Sequence, residues 1–168
     1  QNLDDAEECL ELSQRYDCIY ASAGIHPHDS KDAPSNFKEK IYDFMKNEKM
    51  VALGEMGLDY FRNVSSPKIQ KRIFRSQMEI AKDLNMPVIF HNRDADEDVL
   101  TILKEFTGVE GVAHCFSSTE ETARKFIELG YYISFSGNIT FKNSHLPEFV
   151  GKLPLDRILV ETDCPYLS

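Results

Sequence analysis

The sequence predicts an α/β fold and, within that class, a TIM-type barrel. Short apolar runs bounded by turn residues alternate with amphipathic windows, as in successive right-handed βαβ units around a parallel sheet. Four of those runs carry an acidic or imidazole side chain at or near their C-terminal end. The pattern also opens on a helix and closes on a strand, so its six strands fit the second to seventh of an eightfold barrel. Period alone leaves an open, doubly wound sheet as the rival. The strand ends favour the barrel, because in a barrel they converge on one centre, whereas in an open sheet they form a line.

Each element has its own signal. Window 4–16 places Ala6, Cys9 and Leu10 on one face, and DCIYASAG follows as the first strand. Window 35–48 is amphipathic and leads into MVALGE. Window 67–85 opens with Pro67, sets Ile69, Ile73, Ile80 and Leu84 on one core-facing stripe, and stops before Pro87. PVIFH is the next strand, 95–106 the next amphipathic window, and GVAHCF the strand after it. Window 119–129 follows a Ser117-Ser118-Thr119 cap region, carries Glu120 and Glu121 at its positive end, and stops at Gly130. YYISFSG, an amphipathic window at 144–152 and ILVETD complete the pattern.

At 168 residues the chain reads as a single, partial barrel domain over 1–168. Its 42% hydrophobic and 28% charged content excludes a disordered or low-complexity chain. No apolar run approaches the roughly 20 residues that span a bilayer. The acidic start is unlike an export signal, so a cytoplasmic location without a membrane role is expected. Cys9, Cys18, Cys115 and Cys164 are too scattered for a zinc pair and are expected to be reduced, mostly packed thiols. A net charge of −9 excludes a broad basic surface for a polyanion. A phosphate-bearing substrate would need another attractor, and a divalent cation is the natural one.

The candidate ligands are Glu55 closing VALGE, His91 closing PVIFH, His114 within GVAHCF, and Asp163 closing ILVETD. Buried carboxylates and imidazoles are costly unless paired or ligated. A mixed nitrogen and oxygen set suits Zn²⁺, Mn²⁺, Co²⁺ or Ni²⁺. Such a set with one position left for water lowers that water's pKa to about 7, which suits hydrolysis. Glu161 and Asp163, two apart on a strand, point to one side, so one can hold metal while the other orients it or shares a proton. His26 and His28 in GIHPH fall at the same end of the sheet, either lining the site or forming a rigid turn. Arg93 is a candidate either for contacting an anionic substrate or for pairing with a helix carboxylate, His145 a surface residue, and Gly54 and Gly57 serve the backbone.

AGIHPHD, GEMGLDYF, PVIFHNR, HCFS and LVETDCPYLS, in this order, resemble the TatD family of metal-dependent hydrolases over residues 18–168. The resemblance implies a (β/α)₈ barrel of the amidohydrolase kind with two divalent ions, whether Mg, Mn, Zn, Co or Ni. It implies deoxyribonuclease activity on DNA ends or single strands, commonly as a 3′ exonuclease, and no obligatory protein partner. It makes Glu55 the carboxylate bridging two metals, with His91 and His114 completing the second. Asp163 would belong to the first metal and sit beside the attacking water, making it and Glu55 the catalytic pair. Glu161 would support from behind, and His28 and Arg93 would contact phosphate. The family's opening His-x-His strand and its closing strand and helix have no counterpart here, which makes an incomplete piece of a longer protein the expectation. Two alternatives stand beside this one: hydrolysis of an ester or amide such as an aminoacyl bond, and a non-catalytic form that binds a partner through open sheet edges.

Overall fold

The structure, a computed structural model, describes residues 2–164, so residues 165–168 of the last motif lie outside the described residues. Helix α1 (Leu3–Arg15) begins where the Asn2 side chain accepts the backbone N–H groups of Asp4 and Asp5 while Asp5 returns a bond to Asn2. Strand β1 (Ala21–Ala23) leads into a 3₁₀ turn over Pro27–Asp32 and then α2 (Phe37–Phe44). β2 (Met50–Asp59) is followed by α3 (Pro67–Leu84), β3 (Val88–Arg93) and α4 (Asp96–Glu105). β4 (Gly111–Ala113), α5 (Glu120–Glu128), β5 (Tyr132–Phe135) and β6 (Ile158–Val160) complete the order.

The six strands pair in chain order, every pair parallel. A doubly wound sheet reverses its winding at a switch point, and here the order never reverses. The sheet is an arc of a (β/α)₈ barrel, the predicted class. No helix among the described residues is long and apolar enough to cross a membrane.

Three expectations need correction. Window 144–152 is not an α-helix but two 3₁₀ turns, Leu146–Glu148 and Val150–Lys152; Pro147 removes an N–H, and Leu146, Phe149 and Leu153 are buried three and four residues apart. Cys9, Cys18 and Cys164 are exposed and Cys115 half-buried, so the thiols are free but not packed. Cys9 shows why: α1 buries only Leu3, Ala6 and Ser13, which leaves it on the outer face. Finally, β2 runs four residues past Glu55, because Gly57 and Asp59 continue its ladder with His91 and Arg93.

The register of β2 decides what reaches the site. Leu53 pairs with Val88 and Met56 with Phe90, so β2 uses three residues where β3 uses two. This is a β-bulge with one extra residue. Leu53 and Met56 thereby both enter the core beside Val88 and Phe90, while Glu55 joins the face that carries His91. The flanking glycines make room. A side-chain carbon at Gly54 would run into the Ile89 carbonyl and one at Gly57 into the His91 carbonyl, and both have positive φ.

Helix α3 fixes the turns that bear the polar groups. The predicted stripe is there, with Ile73 and Ile80 buried and Ile69 and Leu84 partly so. Two buried glutamines share its inner surface. Gln77 accepts the Ile25 N–H at 2.7 Å and donates to the Ile25 carbonyl at 3.1 Å, clamping the chain just before His26. Gln70 accepts the Asp59 N–H at 2.8 Å and donates to the carbonyls of Asp59 at 3.0 Å and Ser65 at 2.6 Å. A buried group stripped of its partner costs about 1–3 kcal/mol. Gln70→Leu, which strands several at once, is expected to lower unfolding stability by at least about 2 kcal/mol. Urea denaturation with an unchanged m-value checks it; an unaltered midpoint would show that the clamp holds nothing.

Candidate metal centre

The C-terminal end of the sheet gathers four histidines and four carboxylates into two adjoining groups. In the first, Glu55 Oε1 lies 3.3 Å from His91 Nδ1 and 3.5 Å from His26 Nε2. The opposite nitrogen of His91, Nε2, lies 3.1 Å from Asp59 Oδ2, which also meets His28 Nε2 at 2.9 Å. Asp59 has a side chain only 1% exposed, and its other oxygen accepts the Arg62 N–H. In the second group His114 Nδ1 meets Glu161 Oε2 at 2.6 Å while its Nε2 faces Asp163 Oδ1 at 3.4 Å. Glu161 Oε1 also accepts the Cys115 N–H at 2.6 Å. The negative charge of Glu55 acts on His114 as well, so the groups are electrostatically joined.

His91 and His114 share one design. Each gives one ring nitrogen to a backing carboxylate, Asp59 or Glu161, that is itself anchored by a backbone N–H, and aims the other at a second carboxylate, Glu55 or Asp163. With a neutral ring, the aimed nitrogen is a lone pair facing a negative oxygen, which repels unless a proton or a cation lies between. That is the arrangement of a carboxylate-backed metal ligand. His26, Glu55 and His91 also bring three donor atoms within 4.8 Å of one another. His26 nevertheless suits a different task. Its Nδ1 accepts the His28 N–H at 3.2 Å, which leaves the proton on Nε2, directed at Glu55. It therefore reads as a hydrogen-bond donor that holds Glu55.

The ionisation follows the contacts. Burial opposes charge on His91, but its hydrogen bonds to Asp59 and Glu55 and their negative charges outweigh burial and lift its pKa to about 9. Burial likewise opposes the charged form of His114, and Glu161 above all reverses this and raises its pKa. For His26 burial dominates and lowers the pKa despite Glu55. Burial works against Glu55 and Asp59, yet the surrounding imidazoles hold both well below the usual carboxylate range.

Of the predicted residues, Glu55 and His91 touch, and so do His114, Glu161 and Asp163. Glu161 and Asp163 lie beyond the end of β6 rather than on it, and still both face His114. His28 is drawn to Asp59. Arg93 makes no polar contact with either group, its guanidinium lying over the Phe61 ring at 3.9 Å. His145 is exposed, as expected. Asp59 was missed, although alternation carried two and four residues past Glu55 would have reached Gly57 and Asp59.

The family profile described as TatD related DNase matches residues 1–168. An uncharacterized metal-dependent hydrolase, YabD of Bacillus subtilis, is 48% identical over 162 residues, covering 95% of this chain and 64% of its own length. The 3′-5′ ssDNA/RNA exonuclease TatD of Escherichia coli is 37% identical over 170 residues, covering 99% of this chain and 65% of its own. The crystal structure of YJJV, a TatD homologue from Escherichia coli, superposes with a TM-score of 0.91 at 30% identity, covering 98% of this chain and 65% of that one. The chain thus spans just under two thirds of these relatives.

The raised pKa of His91 fixes a sign. Its stabilisation is fully present below pH 6.5, its ordinary pKa, and is lost as pH rises through about 9. Glu55 and Asp59 act the other way, stabilising above their ordinary values of 4.5 and 3.8 and losing this as pH falls through their depressed folded values. In EDTA, His91→Asn is therefore expected to lower Tm more at about pH 6 than at about pH 10, read by thermal denaturation. Equal losses at both would contradict the paired imidazolium.

Proposed function

Because the chain belongs to the TatD-related DNase family, we propose that it carries the centre of a metal-dependent phosphodiesterase that shortens DNA or RNA single strands from an end. The observation that supports this most is the paired design of His91 and His114, each backed by one carboxylate and aimed at another. A nuclease name borne by the Escherichia coli relative supports the substrate class.

The donor set fits divalent cations: mixed imidazole nitrogen and carboxylate oxygen suits Mn²⁺, Zn²⁺, Co²⁺ or Ni²⁺, and the facing lone pairs and negative oxygens call for positive charge between them. Glu55, His91 and His114 would hold one ion and Asp163, with Glu55, a second. Bound there, such ions supply Lewis acidity toward a phosphoryl group and offset charge on the attacking and leaving oxygens. The protein's own groups do the rest. Asp59 and Glu161 fix the two imidazoles and keep a proton on the nitrogen away from the ion. His26 donates to Glu55 and steadies it. Asp163, half-buried with one oxygen facing His114, is the carboxylate available to take a proton from water at the reacting phosphorus.

With Mn²⁺, Mg²⁺, Zn²⁺, Co²⁺ or Ni²⁺ supplied in turn, the protein is expected to shorten a 5′-labelled single strand stepwise from its 3′ end and to stop in EDTA. Glu55→Gln, His91→Asn, His114→Asn and Asp163→Asn are expected to abolish this, while Glu161→Gln, which only supports His114, is expected to cost roughly 10- to 100-fold in metal affinity or rate. Gel analysis of the products and calorimetric metal titration check both. Cleavage of ester or amide substrates with no phosphodiester cut by the metal-loaded protein would replace this reading with the acyl one.

A further inference from the structure

Phe61 lies two residues past Asp59, in the turn that closes β2, and is 62% exposed. The Arg93 guanidinium covers one side of its ring, with its central carbon 3.9 Å from the ring centroid. Asp59 and Arg93 are register partners across β2 and β3, so this pair stands directly at the rim of the metal centre. Arg93 is also two residues beyond His91 on the same face of β3, roughly 7 Å along the strand.

Two features make the pair more than a stray surface contact. In a chain of net charge −9, with Glu55 and Asp59 nearby, the Arg93 guanidinium makes no ion pair and no hydrogen bond among the described residues. Its N–H edges stay free because the ring, not a carboxylate, holds it. The neighbouring surface, by contrast, is hostile to a polyanion. A groove of about 630 Å³ on the α4 side is lined by Asp94, Asp96, Glu97 and Asp98. At this rim, positive charge is supplied by Arg93 and by the exposed Arg62 that follows Phe61 in the chain.

We propose that Phe61, with Arg93 stacked on it, is the platform on which one base of a single-stranded nucleic acid lies while the guanidinium edge meets an adjacent phosphate. This rests on the reading of the centre as a nucleic-acid hydrolase. The uncovered ring face takes a base of any kind, because every base has a π-face and stacking reads no sequence. A duplex presents no free base face, so the platform selects single strands. The planar donor fork of Arg93 is suited to phosphate oxygens.

The test compares the Mn²⁺-loaded protein and its Phe61→Leu variant on a normal single-stranded oligonucleotide and on an all-abasic strand of equal length. Stacking of one base is expected to appear as a roughly 5- to 150-fold rise in KM of the variant on the normal strand, with kcat little changed. The loss should largely vanish on the abasic strand, and Phe61→Trp should restore the normal KM. An unchanged KM, or an equal loss on the abasic strand, would overturn the platform; the second outcome would leave Phe61 merely holding Arg93. If the wild-type protein hydrolyses neither strand, the activity reading fails separately. Fluorescence anisotropy of the labelled strands then tests the platform by itself, since the same ratio is expected in Kd and equal binding by both proteins would overturn it.

Discussion

Between Leu53 and Met56, β2 uses one residue more than its partner β3, and the side of the sheet on which Glu55 lies depends on that difference. Strands alternate faces with a period of two, so an unbroken register would set Glu55 opposite Phe90, among the aromatic rings under the helices. A carboxylate there would have no partner and a large desolvation penalty. The bulge lets the strand place Leu53 and Met56 in the core and Glu55 against His91 within four residues. Gly54 and Gly57 are the condition for it, since only residues without a side chain fit against the β3 carbonyls at those positions.

Once Glu55 is on that face, the remaining site is an exercise in charge compensation. Without a cation, the carboxylates are balanced by protons: His91, pinned between Asp59 and Glu55, carries one to a pKa of about 9, and Glu161 raises His114 in the same sense. A cation held between the aimed nitrogens and their facing oxygens would take the place of those protons, and Asp59 and Glu161 would still back the two rings. His26 stands apart because burial keeps it neutral and its tautomer is set by the backbone of its own turn.

Much of this was legible in the residues, and what was not has identifiable causes. Helix α3 could be bounded to within one residue because Pro67, its apolar stripe and Pro87 all agree. His91 and His114 were readable because each interrupts or ends an apolar run where nothing else explains an imidazole. Asp59 was not, because glycines and a bulge break the alternation of β2 and its apolar run looks finished at Glu55. The 144–152 segment misled because the three-residue spacing of a 3₁₀ turn and the 3.6 of an α-helix differ little over so few residues. The contact between Arg93 and Phe61 depends on a turn geometry that no local pattern encodes.

An acidic chain that handles a polyanion must concentrate its attraction. The non-specific grip of a basic surface scales with the number of phosphates neutralised and is lost as salt rises. With carboxylates ringing the centre and lining the adjoining groove, this protein cannot use that route. On the reading proposed above, attraction from cations at the centre and from the arginines near Phe61 would touch few phosphates and so would discriminate by position along the strand instead of by total charge. For an enzyme that acts at an end, on the reading proposed above, that distribution has a physical advantage: a strand held at only one or two phosphates is free to advance after each cut, where a basic groove would hold it in place.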